Sequence, residues 1–322
     1  MPKLISSFKK GVRQLLREAR KLDKNRLEVI LYHSVSQKED SFNTGGRNIS
    51  PQLFEAQMQY IQKHYQVVSL EEALKKSTEA KPYLRPLAAI CFDDGYENNV
   101  SEAYPILNKL QIPATIFVCG SVIGNTDLLW RDKVRFIEQE ELEADFIDFL
   151  RQGKTSDYYH FPSLETMSFY QWSKSIDGIN SMTIQDDLAS YFQRRGMNCA
   201  EIAAKHKLFL SPDQINNNYP GLTFGNHSWS HPLMTLLDRK RQVEEIKKND
   251  RWLRDLGIKT RMFAVPFAPF DTHTISGCLD VGYKVLLTVS EKGNRTNIST
   301  KAVSLLNRRL APNSMSNFSR MF

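Results

Sequence analysis

From residue 27 onward the chain alternates short apolar, β-branched runs with amphipathic stretches, the pattern of βα units that build a parallel sheet. The runs predict strands at 27–33 (LEVILYH), 66–69 (QVVS), 87–92 (LAAICF), 113–119 (PATIFVC), 222–226 (LTFGN), 261–266 (RMFAVP), 283–289 (YKVLLTV) and 303–310 (AVSLLNRR). Helices fit between them. Ser50 before Pro51 reads as an N-cap and first-turn pair for a helix over 51–64, and Ser69 with Glu72 three residues on is a capping box for 70–77. Further helices are predicted over 98–110, 238–256 and 271–281. The rhythm breaks at 121–221, a mixed polar and aromatic stretch with helical periodicity around 130–150 and 184–208. It reads as an insertion. Chemistry on βα barrels sits on loops at the C-terminal strand ends, so an insertion leaving from one of them lines a substrate groove.

A different pattern precedes the first strand. Leu4, Ile5, Phe8, Val12, Leu15, Leu16, Ala19 and Leu22 fall on one arc of about 120° of a helix, with eight of the nine basic residues of positions 1–26 opposite. Those nine basic residues meet only Glu18 and Asp23, so this segment holds the whole net charge of +7 and the rest of the chain is neutral. A basic amphipathic helix over 1–26 suits the headgroup region of an anionic membrane, at about 1 kcal/mol per Lys or Arg, or alternatively docks on the protein's own body or a second subunit. Residues 27–322 then form one domain interrupted by the insertion. No apolar run approaches the roughly 18–20 residues needed to cross a bilayer, and no signal-peptide stretch is present, so the expected location is cytoplasmic, peripheral at the inner face of the membrane. Nucleic acid is not an expected partner, because the remainder lacks a basic patch interleaved with aromatics. With 41% hydrophobic and 25% charged residues the chain is globular, and its four scattered cysteines read as free thiols.

The candidate chemistry lies at strand ends. The run AAICFDDGY sets Asp93, Asp94 and Gly95 directly after an apolar strand, where adjacent carboxylates are costly unless something neutralises one of them. A metal ion does so; a plain Asx turn is the alternative. The run FGNHSWSHP offers His227 and His231 four apart, able to face one point on a helical turn, or else two histidines of the core. One Asp and two His leave coordination positions open, as a catalytic metal site requires. By ligand type Zn comes first, with Fe(II), Co, Ni and Mn also suited. Ser228 occupies the Glu position of the H-E-x-x-H metalloprotease pattern, which excludes that class.

Together these residues resemble the polysaccharide deacetylases of carbohydrate esterase family four, the NodB-like family. The match is F-D-D-G-Y at 92–96, H-S-x-x-H-P at 227–232 and A-V-P-F at 264–267, over roughly 27–310. The resemblance implies an α/β fold, a distorted (β/α)7 barrel, here with a long helical insertion. It implies Asp93 as general base, Asp94 with His227 and His231 as metal ligands, and the backbone N–H of Phe267, after Pro266, as oxyanion donor. Tyr96 and Trp229 join the expected substrate contacts. The implied reaction removes an N-acetyl group from a sugar in glycan or cell-envelope polysaccharide synthesis, on an N-acetylated sugar, oligosaccharide or lipid-linked glycan. Two family groups are absent: Ala264 stands where the third motif has Arg, and L-N-R at 306–308 replaces the late L-x-H. In the early Y-H motif, LYHSVS, the chain is similar to deacetylases of biofilm polysaccharides, which use its His near the metal. His33 is therefore the expected general acid, with a strand-end imidazole bonded to backbone as the alternative. Arg308 or Arg309 on the last strand is expected to contact Asp93 or substrate.

His64, His160, His206 and His273 read as surface or structural residues. Tyr158, Tyr159, Phe161, Tyr170 and Trp172 of the insertion either stack on sugar rings or pack a satellite core. Two other functions compete: a non-catalytic carbohydrate-binding relative, suggested by the two absent groups, and a 2-His-1-carboxylate Fe(II) oxygenase with the same ligand set. The βα alternation opposes the second.

Overall fold

A computed structural model describes residues 26–37, 42, 48–77, 84–175, 183–291, 294–295 and 303–321. The amphipathic segment lies outside these residues except for Arg26, which opens the first strand rather than ending a helix.

Seven strands run parallel around a closed ring: β1 (Arg26–Tyr32), β2 (Leu87–Phe92), β3 (Ala114–Val118), β4 (Leu222–Asn226), β5 (Met262–Ala264), β6 (Val285–Val289) and β7 (Ser304–Leu310). Closure is by β1, which pairs with β2 from Leu27↔Leu87 to Tyr32↔Phe92 and with β7 at Ile30↔Arg309 and Leu31↔Leu310. This is the distorted (β/α)7 barrel the motifs imply. A two-residue strand at Gln66–Val67 extends along the start of β2, and Asn294–Arg295 pairs antiparallel with the start of β1. The two-residue strands Ser34–Val35 and Asn48–Ile49 pair in parallel above the mouth.

The sequences of β1 to β3 are apolar almost throughout because both faces are covered, the rule for parallel strands. Leu27, Val29, Leu31, Leu87, Ala89, Cys91, Phe117 and Leu287 point inward and fill the ring, while Ile30, Tyr32, Ile90, Phe92 and Ile116 point outward into the helix layer. Helices Pro51–His64 and Leu70–Ser77 have the bounds the sequence predicts, with Ser50 and Ser69 hydroxyls accepting the Leu53 and Glu72 N–H groups. Over 98–110 the expected single helix is instead a π-turn, Asn99–Ala103, leading into Tyr104–Lys109. Pro105 has no N–H to continue an α ladder, and the Tyr104 N–H reaches back five residues to the Asn99 carbonyl.

The insertion holds helices Trp130–Gln139, Glu143–Gln152, Phe169–Lys174, Ile184–Arg194, Cys199–His206 and Pro212–Asn216. Trp172, Tyr191, Phe146 and Phe192 are fully buried at its centre, so its aromatics pack a core continuous with the helix layer of the barrel. The other insertion aromatics named as sugar-stacking candidates divide: Tyr159 is buried, Phe161 and Tyr170 are half-buried against that core, and Tyr158 is exposed. The insertion returns to the barrel through residues 208–210, whose backbone bonds to Gly95 and Glu97 and so braces the loop after β2.

Candidate active site

Strand register assembles the site. Because Tyr32 pairs with Phe92, the next residues, His33 and Asp93, leave the barrel side by side, and the Asp93 N–H donates to the Tyr32 carbonyl. Because Val118 pairs with Asn226, His227 emerges beside Cys119, and its N–H donates to the Val118 carbonyl. Asn226 pairs with Phe263, which sets Ala264 beside His227.

At this mouth Asp94 Oδ1 lies 3.6 Å from His227 Nε2 and 3.3 Å from His231 Nε2. The three residues are buried, and one ligand atom from each falls within 4.8 Å of the others. Donors held 2.0–2.2 Å from one tetrahedral centre stand about 3.4 Å apart, so the set fits a divalent cation. His227 Nδ1 lies 2.7 Å from the Ala264 carbonyl, which only accepts, so Nδ1 carries the proton and Nε2 keeps its lone pair for the ligand position. Burial works to raise the Asp94 pKa, but the charge of His231, the adjoining imidazoles and the charge of His33 hold it well below the carboxylate range. Burial lowers and the Asp93 and Asp94 charges more strongly raise the His227 pKa, for a net upward shift.

Five of the nine non-glycine residues with positive φ among the described residues belong to this site: Asp94, Ser228, His231, Phe267 and Ala268. Such backbone costs of order 1 kcal/mol each and gathers where geometry serves function. Next to Asp94, Gly95 has φ 79°, and a Cβ there would stand 3.1 Å from Val118 and Ile123 side-chain carbons. Only glycine fits.

Asp93 is 3% exposed, and its Oδ1 accepts from Arg308 Nη1 at 2.5 Å. The Arg308 side chain is wholly buried inside the ring, with its guanidinium 5.6 Å from the Phe117 ring centre. Arg309, one residue on, points to the outer face and pairs with Glu28 at 3.2 Å, so of the two arginines expected at Asp93 or substrate it is Arg308 that meets Asp93. Tyr96 is a second correction: its hydroxyl donates to Asp132 and its ring stacks on Phe209, so it ties the loop to the insertion instead of facing substrate. Trp229 lies against Gly120 and the helix Arg239–Asp255, with the Lys248 ammonium 4.2 Å from its ring centre. Its side chain packs on the helix layer. Pro266 is buried, and the Phe267 ring, half-buried at the mouth, contacts His231 at 4.8 Å and the guanidinium of Arg131 at 4.9 Å. His33 is half-buried, and its carbonyl accepts from Asn99 Nδ2 at 2.6 Å.

Several supporting residues escape sequence reasoning. Glu245 accepts from the Trp229 and Ser230 N–H groups and the Ser230 hydroxyl, gripping the loop between the two histidines. Burial pushes its carboxyl up despite those donors. Asn226 and Asn249 join that loop to β3 through a buried network that includes the Val118 carbonyl and the Ser228 and Gly120 N–H groups. Trp130, at the head of an insertion helix, donates from its indole to the His231 carbonyl. The run ENN after DDGY was the one available signal for Asn99; helix residue Glu245 offered none.

The family profile described as "Polysaccharide deacetylase" matches residues 80–145 and 188–286. A Bacillus subtilis (strain 168) protein named as a polysaccharide deacetylase, YxkH, is 31% identical over 128 residues, 39% of this chain and 44% of that protein. The poly-beta-1,6-N-acetyl-D-glucosamine N-deacetylase of Staphylococcus epidermidis is 25% identical over 177 residues, 52% of this chain and 58% of that protein. The chain thus spans about half the length of these curated relatives. Among solved structures, the Streptococcus pyogenes deacetylase PplD in complex with acetate aligns with TM-score 0.57 at 17% identity, covering 90% of this chain and 94% of that one. IcaB from Ammonifex degensii aligns with TM-score 0.56 at 16% identity, covering 92% and 95%. At these identities the likeness concerns the fold.

Proposed function

The chain belongs to the polysaccharide deacetylase family, and on that premise we propose that it is a metal-dependent hydrolase removing an N-acetyl group from a sugar of a glycan or cell-envelope polysaccharide. The observation that carries the reading is the convergence of Asp94, His227 and His231 on one point, with Asp93 beside them on the Arg308 guanidinium. These three side chains would hold the ion, zinc first by donor type. The chemistry supplied by a bound divalent cation is Lewis acidity toward a water and the acetyl carbonyl. Asp93, fixed by Arg308, takes the proton of the attacking water as its oxygen bonds to the carbonyl carbon. The N–H of Phe267 holds the developing oxyanion. His33 protonates the nitrogen as the C–N bond breaks, releasing acetate and the free amine.

The absence of Arg at position 264 had favoured a non-catalytic relative. Arg308 supplies a cation to Asp93 from another strand, which supports an active enzyme. The oxygenase alternative loses support, since the ligands sit on a parallel β/α barrel. We place the substrate among N-acetylated sugars, oligosaccharides or lipid-linked glycans, and the protein at the anionic cytoplasmic leaflet. That location draws its support from the basic amphipathic sequence of residues 1–26. The test pairs metal analysis with an acetate-release screen on N-acetylated glycans. Asp93→Asn is expected to keep its metal and lose turnover, and His33→Ala to lose about 10²–10⁴ in rate. Full turnover by Asp93→Asn would remove the base assignment; full turnover by His33→Ala would remove the acid.

A further inference from the structure

At the opposite end of the barrel, beneath the starts of β5 and β6, lies a cavity of about 380 Å³ lined by Arg254, Lys259, Thr260, Arg261 and Lys284. Four of its lining residues are cationic, and all four are exposed. Arg254 leans on Asp250 at 2.7 Å, whereas Lys259, Arg261 and Lys284 form no ion pair among the described residues. Like charges gathered at one opening repel without a counter-charge, and no carboxylate lines the cavity. Thr260, whose hydroxyl oxygen accepts from the Met262 N–H, completes the polar lining. Compact anions with several acceptor oxygens, the phosphates above all, match this lining.

The topology says where such phosphates come from. The cavity opens on the end where strands begin, and the chain enters β1 at Arg26 on that same end. Residues 1–25, which precede it, carry eight basic residues against two acidic ones. The cavity and the entry of the chain into β1 therefore lie on the end remote from Asp93, Asp94, His227 and His231. No helix among the described residues is long and apolar enough to cross a membrane, so contact would be with a surface. We propose that this cavity seats the phosphate headgroups of an anionic phospholipid membrane, so that the barrel stands on its closed end with the catalytic mouth facing away. Strands of about six residues set the mouth roughly 20 Å from that surface. Such a stance suits a glycan extending from the membrane better than a sugar held at the headgroups. The inference rests on the proposed glycan deacetylase only for that last consequence.

The experiment is co-sedimentation of the full chain with vesicles of phosphatidylcholine alone or with 30% phosphatidylglycerol, at low and high salt. The parent is compared with Lys259→Ala/Arg261→Ala/Lys284→Ala and with Lys9→Ala/Lys10→Ala/Arg13→Ala/Arg17→Ala. At about fivefold per cation, the cavity variant is expected to lose roughly tenfold to a hundredfold in partitioning onto the anionic vesicles at low salt, with an unchanged melting temperature because the side chains are exposed. Equal partitioning of parent and cavity variant overturns the proposal. Loss in the N-terminal variant alone does so too, while leaving a membrane role for residues 1–26. A third arm adds inorganic pyrophosphate: a melting shift in the parent that the cavity variant lacks, without vesicle binding, identifies a soluble phosphoryl ligand and overturns the membrane source. Failure of acetate release with vesicle binding intact would sink the deacetylase reading alone.

Discussion

Replacing Arg308 by Met tests whether the last strand supports Asp93, the proposed base. The Arg308 and Asp93 side chains are 0% and 4% exposed and meet at 2.5 Å. Two unit charges about 4 Å apart attract by about 4 kcal/mol at an effective dielectric of 20. Removing one partner of a buried pair leaves the other uncompensated, at about 3–5 kcal/mol. Arg308→Met should therefore lower stability by that amount, a fall in Tm of roughly 6–10 °C at about 2 °C per kcal/mol. Much of the loss should vanish in Arg308→Met/Asp93→Asn, where no lone charge remains. The thermodynamic cycle should return a coupling of about 2–3 kcal/mol by urea unfolding. In acetate release kcat/KM should fall about 10²–10³-fold, within the range attributed to a positioned base. Arg308→Lys keeps the charge without the planar fork and should fall between parent and Met. A coupling under about 0.5 kcal/mol would show that the pair contributes nothing specific and that Asp93 is oriented by something else.

Three other expectations concern the surroundings of that pair. His227→Ala should abolish stoichiometric metal binding, and a chelator that lowers the parent's Tm should leave this variant's unchanged, as linkage requires of a ligand bound only to the folded state; a chelator shift persisting in His227→Ala would move the metal elsewhere. Gly225→Ala sets a Cβ 2.4 Å from two carbons of the buried Phe117 ring, so a loss of about 1–3 kcal/mol is expected by urea unfolding, and an unchanged midpoint would contradict the packing. Glu245→Gln removes the charge that holds the Trp229 and Ser230 N–H groups, and metal affinity by calorimetry should weaken about tenfold or more; parent-like affinity would mean the histidine loop holds its shape unaided.

The barrel and the cluster of Asp94, His227 and His231 were legible in the sequence because they depend on local signals. Parallel strands covered on both faces read as apolar runs, so all seven barrel strands fall where those runs lie. Side-chain capping marked helix starts at Ser50 and Ser69. Asp93, Asp94, His227 and His231 stood out because paired carboxylates and paired histidines at strand ends are costly without a purpose. The exception proves instructive at 98–110, where Pro105 and the reach of Asn99 to the His33 carbonyl turn an expected α-helix into a π-turn.

What the chain could not disclose by itself is direction. In SLLNRRL two arginines stand next to each other, and alternation requires that one face in and one out without saying which; closure of β7 against β1 decided it, sending Arg308 to Asp93 and Arg309 to Glu28. Tyr96 turned to Asp132 and Trp229 to the helix layer for the same reason: the partners that claim them come from distant segments. Glu245 and the basic cavity likewise exist only once residues remote in sequence are packed together. Local patterning determined which elements form and which residues carry charge and candidate ligand atoms, because burial and capping act over a few positions. Tertiary packing decided which of those residues meet, because a side chain's neighbours across a barrel are set by register and closure.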